Sequence, residues 1–136
     1  MYKSILVPVD LGHGDVGARI VEVARTLAGT GSTITLMTAL EEVPGYIAQQ
    51  LPAGTVEKTA ADAREALLKL GRSFGIEAVA DVRIGRPHSA ILAEAEAIGA
   101  DLIIIGSHRP GLSDYFLGST AARVVRHATC AVLVDR

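Results

Sequence analysis

The sequence predicts an α/β fold, a single doubly wound domain of five strands and four helices in three α/β/α layers, and three observations carry that prediction. Short apolar runs of strand length alternate with stretches of helical period along all 136 residues, the order that builds a parallel sheet with helices on both faces. After Asp101, residues 102–105 read Leu-Ile-Ile-Ile, the unbroken apolar run of a strand covered on both sides. Hydrophobic residues make up 49% and charged residues 21%, a balance that belongs to a globular chain and not to a disordered one. One domain over residues 1–136 is expected, because two domains cut from this length would each approach the size at which a core stops supporting itself.

Residues 3–9 (Lys-Ser-Ile-Leu-Val-Pro-Val) form the first strand, and Val16, Ile20, Val23, Ala24 and Leu27 then recur at helical spacing through residues 15–28. Gly29 and Gly31 stop that helix, residues 32–39 form the second strand, and Pro44, Gly45, Pro52 and Gly54 make residues 41–55 a loop. The helical period returns from Val56 to Phe74 through Ala60, Ala63, Leu67, Leu68 and Leu70, ends at Gly75, and gives way to a third strand over residues 77–84. Pro87 opens a helix through Ile91, Leu92, Ala95 and Ile98 that Gly99 closes. Residues 101–105 are the fourth strand, 119–128 the last helix and 131–134 the last strand. The connection from Gly106 to Gly118 stands apart, since βα loops usually take two to six residues and this one takes about twelve, a length that usually carries function.

Charge and composition exclude several classes. The net charge of −2, without a long basic run, argues against a nucleic-acid partner, and 4% aromatic residues without Trp leave no stacking platform for single strands. The N-terminus reads as a strand and not as a signal peptide, and no apolar run approaches the roughly 20 residues that cross a bilayer. Cys130 is the only cysteine, which excludes an intramolecular disulfide and fits a cytoplasmic location.

Among the motifs, Gly12-His13-Gly14-Asp15-Val16-Gly17 has the form G-x-G-x-x-G after a strand, with Glu41 and Glu42 downstream. Asp10 stands where a pyrophosphate would approach, and five strands leave no second mononucleotide half, so the stretch reads as a βα turn with Asp15 or Gly14 near the helix cap. No P-loop, His-Glu-x-x-His or paired-cysteine spacing occurs, and His13, His88, His108 and His127 are scattered singly. A phosphoacceptor receiver needs an Asp after its third strand, where this chain has Ile84-Gly85-Arg86-Pro87. Cys130 reads as a packing residue, and Arg123, Arg126 and His127 as cations complementing the negative end of the last helix.

The stretch from Ile105 to Thr120 is different. Two glycine-containing corners bracket a long loop, and the second, Leu117-Gly118-Ser119-Thr120, opens a helix. Amides at a helix start, its positive dipole end, a glycine permitting close approach and two hydroxyls suit a phosphate. Ser119 acting only as the helix cap is the plainer alternative.

Read together and in order, Ile-Leu-Val-Pro-Val-Asp at 5–10, Val-Arg-Ile-Gly-Arg-Pro at 82–87, Ala-Asp-Leu-Ile-Ile-Ile-Gly-Ser-His at 100–108, Leu-Gly-Ser at 117–119 and Val-Leu-Val at 132–134 resemble the universal stress protein (UspA) superfamily end to end. His-Arg-Pro, Leu-Gly-Ser and Val-Val-Arg-His-Ala are similar to its F and G class of ATP-binding members. The chain carries Arg109 where the family's nucleotide pattern has its second glycine, and one residue fewer than that pattern before Gly118. The resemblance implies a parallel sheet of order 3-2-1-4-5 and an ATP (or AMP or ADP) site, with Mg²⁺ as the natural companion of a triphosphate.

Carried over, the resemblance implies that Pro8, Val9 and Asp10 line the adenine and ribose side and that Ala39 offers backbone groups to adenine. Ile105 and Gly106 would lie under the ribose and first phosphate. Gly118, Ser119 and Thr120 would hold the distal phosphates, with His108 and Arg109 at the first corner and Arg109 supplying a cation. In the implied order Asp10 and Gly106 fall at the topological switch point, where open sheets bind ligands. The function expected is that of an ATP-binding stress-response regulator that pairs with a second copy through its C-terminal edge strand. A slow ATPase or self-phosphorylating enzyme using the same pocket, or a member that binds no nucleotide and acts through protein contacts, are the alternatives. Tyr46 is the residue expected to close over a bound base.

Overall fold

The computed structural model describes residues 1–12, 14–107 and 117–136, with the side chains of residues 14–16 excepted. Five strands, β1 (Tyr2–Pro8), β2 (Ala28–Leu40), β3 (Val79–Ile84), β4 (Leu102–Gly106) and β5 (Ala131–Asp135), form one sheet. All pair in parallel in the order β3-β2-β1-β4-β5. The described helices are α1 (Gly14–Leu27), α2 (Gly45–Ala48), α3 (Thr55–Ser73), α4 (Pro87–Ile98) and α5 (Ser119–His127).

The period-two alternation of the strands divides the core into two layers. Ile5, Val7, Leu36, Leu102 and Ile104 face one side, where they pack with Ile20, Val21 and Ala24 of α1 and Leu67 of α3. Leu6, Met37, Ile103 and Ile105 face the other, against Ala90 and Ile91 of α4 and Ala121 and Val124 of α5. The continuously apolar run at 102–105 is thus buried on both faces, as expected. Cys130 packs at the edge of the second layer, and burial pushes its thiol up.

Two differences from the sequence expectation concern connections. Residues 41–55, expected as loop alone, contain the single turn α2, so the described helices number five where four were expected. Pro44 precedes it at φ −55°, already set for a first turn, and its carbonyl accepts the Ile47 and Ala48 amides at 2.9 Å each. One turn is too short to show a helical period. The strand β2 begins at Ala28, because Tyr2 pairs with Ala28 before the register shifts and Ser4 pairs with Thr33. Ser32 fastens the shifted segment, its hydroxyl donating to the Tyr2 carbonyl at 2.6 Å and accepting the Gly29 amide at 2.9 Å.

Charged groups sit at the starts of the central strands and beside the edge strand β3. The Asp101 carboxylate accepts the amides of Lys3 and Ser4 at 2.8 and 3.0 Å, tying the start of β4 to β1, and those bonds hold its carboxyl below the usual range. On α4, Glu94 has a side chain only 5% exposed, with Oε1 held by Nε and Nη2 of Arg83 on β3, both at 3.1 Å. Its Oε2 is buried without a donor among the described residues. Burial first, then the neighbouring Asp81 carboxyl, push the Glu94 carboxyl up against the opposing pull of Arg83.

Candidate functional site

The site is built where the central strands end. The strand β1 finishes at Pro8, the Val9 amide donates to the Met37 carbonyl at 2.7 Å, and the Asp10 Oδ1 accepts the Gly12 amide at 3.0 Å. That two-residue bond is an Asx-type turn, which swings the chain off the sheet towards α1. Gly17 then lets α1 lie close, since a Cβ there would stand 3.0 Å from Val9 Cγ1 and 3.8 Å from Leu70 Cδ2. A side chain at this position would press on Val9, so close packing favours glycine here.

The neighbouring strand ends in a pinned corner. Gly106 pairs with Asp135, and the Ser107 amide donates to the Asp135 carbonyl at 2.8 Å. Arg19 of α1 meets the Asp135 carboxylate at 2.9 Å, tying that helix to the same corner. The chain returns at Gly118, whose amide donates to the Ser107 carbonyl at 3.0 Å. Gly118 is the N-cap of α5, at φ −58° and ψ 154°, and no side-chain cap bond is made among the described residues. Ser119 is therefore the first helical residue and not the cap, which sets aside the plainer role considered for its hydroxyl. The helix's own ladder starts with the Ala122 amide on the Gly118 carbonyl at 2.9 Å, so the amides of Ser119, Thr120 and Ala121 precede it.

Between these two strand ends lies a cavity of about 430 Å³. Pro8, Val9, Asp10, Ala39, Ile105, Gly106, Gly118, Ser119 and Thr120, nine of the eleven residues expected at the site, line it. His108 and Arg109 lie outside the described residues, as does His13. Tyr46 stands 72% exposed on α2 and is not among the lining residues. Arg123 is not at the helix end, where Arg126 and His127 do stand, but lies within 3.5 Å of the His88 ring.

Sequence reasoning missed part of the wall. Met37, Thr38 and Glu41 from β2 and its exit, Pro87 and Ile91 from α4, and Ser107 also line the cavity. Thr38 and Ser107 are buried polar residues there, 6% and 5% exposed. Pro87 and Ile91 had been read only as a helix start and its apolar face. Ser107 lay inside a quoted motif without a role. Chemically the cavity combines an apolar floor, two carboxylates at Asp10 and Glu41, hydroxyls, and the positive end of α5.

Residues 1–136 match the universal stress protein family. Universal stress protein G of Escherichia coli O157:H7 is 32% identical over 142 aligned residues that span all of both chains. A solved universal stress protein in complex with cAMP is 23% identical, with a TM-score of 0.75 over 99% of this chain and 97% of that one. The universal stress protein from Archaeoglobus fulgidus in complex with dAMP is 20% identical, with a TM-score of 0.69 over 99% and 98%.

Proposed function

The chain belongs to the universal stress protein family, and we propose that it is a stress-response regulator that binds an adenine nucleotide in the cavity between the ends of β1 and β4. The observation that carries this reading is the convergence of nine expected residues, distant in sequence, on one cavity at the point where β1 and β4 diverge. Relatives with the same fold have been solved with cAMP and dAMP.

In this reading the apolar wall of Val9, Met37 and Ile105 receives the base, backbone groups at Ala39 bond its edge, and Asp10 accepts ribose hydroxyls. A carboxylate offers several acceptor sites, so the Gly12 amide and a ligand can share it. The phosphates meet the amides and hydroxyls at Ser119 and Thr120, at the positive end of α5. ATP is the proposed physiological ligand, with AMP and ADP using the same base and ribose contacts, and His108 and Arg109 are proposed to reach the phosphates. No cluster of three or more His, Cys, Asp or Glu able to hold a metal occurs among the described residues. The hard oxygen donors present suit Mg²⁺ carried in on the phosphates, held by phosphate oxygens, water and a carboxylate such as Asp10.

The 136 residues are proposed to act as one domain, in the cytoplasm, and as a homodimer. No described helix is long and apolar enough to cross a membrane. The strand β5 lies at the sheet edge with residues 132–135 only half-buried, and a twin strand pairing with it would cover both its backbone groups and those side chains. Light scattering is expected to give a dimer mass, and a monomer at high concentration contradicts the pairing. Titration calorimetry with ATP and with AMP tests the nucleotide reading, with saturable binding of both expected and no heat from either counting against it.

A further inference from the structure

We propose that Glu41 selects the base, its carboxylate accepting the exocyclic amine of a 6-aminopurine and turning away a 6-oxopurine; this rests on the adenine-nucleotide reading. Glu41 is the first residue after β2, and it lines the cavity, whereas Glu42 beside it does not. It is exposed at the rim. The ion pairs among the described residues join Arg19 to Asp135, Arg72 to Glu65 and Arg83 to Glu94, and Glu41 takes no part in them. Its carboxylate is open to a ligand.

The cavity is electrically polarised, and that orients what it binds. In the order β3-β2-β1-β4-β5 the exits of β2 and β4 stand two strand spacings apart, roughly 10 Å. The β4 side carries donors, since the chain enters α5 against Ser107 and the amides of Ser119, Thr120 and Ala121 precede that helix's own ladder. The β2 side carries the Glu41 carboxylate, which repels a phosphate. A nucleotide therefore lies with its phosphate towards α5, its ribose at Asp10 beyond β1, and its base over Met37 and Ala39 of β2, so that Glu41 borders the base's outer edge. A carboxylate only accepts hydrogen bonds. The 6-amino group of adenine presents donor hydrogens, whereas hypoxanthine and guanine present an acceptor oxygen at the same place. Glu41 gains a hydrogen bond from the first and meets repulsion from the second.

The test is titration calorimetry of the wild type, Glu41→Ala and Glu41→Lys with AMP and with inosine monophosphate. The two ligands share ribose and phosphate, so the ratio of their affinities isolates the base and cancels any change in the field felt by the phosphate. The wild type prefers AMP by about fivefold or more, the worth of one hydrogen bond. Glu41→Ala brings that ratio at least about threefold closer to one, and Glu41→Lys, which donates where the carboxylate accepts, shifts it further towards inosine monophosphate. A wild type that binds both nucleotides equally overturns the proposal and leaves a nucleotide site standing. So does a ratio unmoved in both variants, including equal losses for the two ligands, which would assign Glu41 to ribose or a phosphate-borne metal. Wild-type protein that binds neither nucleotide overturns both readings.

Discussion

The Gly118 amide donates to the Ser107 carbonyl at 3.0 Å, and a Cβ built on Gly118 would stand 3.0 Å from that same oxygen. The two ends of the long loop are therefore pressed together by backbone alone. Glycine is needed here for close approach and not for an unusual dihedral, since its φ of −58° is open to any residue.

Gly118→Val accordingly destabilises the protein before any ligand is considered. The branched side chain forces the Ser107 carbonyl or the first turn of α5 to shift, at a cost of about 1–3 kcal/mol. Denaturant unfolding without nucleotide should show a lower midpoint. A midpoint equal to wild type means that the corner yields freely. Lost nucleotide binding in this variant does not locate a phosphate, because the corner itself has moved.

Asp10 has two separable roles. Asp10→Ala removes both the acceptor of the Gly12 amide and the proposed ribose acceptor, whereas Asp10→Asn keeps an oxygen for the turn and loses the charge. The expected loss of adenosine-nucleotide affinity in Asp10→Ala is about 1.5–3 kcal/mol, the value of a hydrogen bond to a charged group. Calorimetry that finds Asp10→Ala equal to wild type limits Asp10 to holding the turn.

Glu94 makes stability depend on pH in a direction opposite to most carboxylates. Its folded-state carboxyl is raised by burial and by Asp81, so its protonated form favours the fold. That contribution is complete below the unfolded value of about 4.3 and is lost as pH rises through the elevated folded value. Glu94→Gln fixes a neutral group that can still accept from Arg83. The variant should match or exceed wild type in stability at pH 8 and lose that advantage near pH 4. Parallel stability curves for the two proteins across that range contradict a raised Glu94 carboxyl.

The strands were the most legible part of the fold, because the short apolar runs at 5–7 and 102–105 mark strands covered on both faces. Strand order was not legible from periodicity and came through the family resemblance. The turn α2 escaped because four residues cannot show a period. Gly17 and Glu94 escaped for a different reason: what each meets, Val9 in one case and Arg83 and Asp81 in the other, is set by elements distant in sequence. Most of the candidate site was readable from its motifs, since strand ends and a helix start carry it. Ser107, Thr38 and the α4 wall of Pro87 and Ile91 were not, because burial in a cavity between elements leaves no local pattern.

The central claim is that an adenine nucleotide occupies the cavity between the ends of β1 and β4, and amide chemical shifts during an AMP titration test it most directly. The claim predicts that the amides of Gly106, Ser107, Ser119, Thr120 and Ala121 move together along one saturable curve, with those of the opposite end of the sheet, such as Lys3 and Asp101, unmoved. Shifts that leave these cavity amides in place, or that gather elsewhere on the protein, would contradict it.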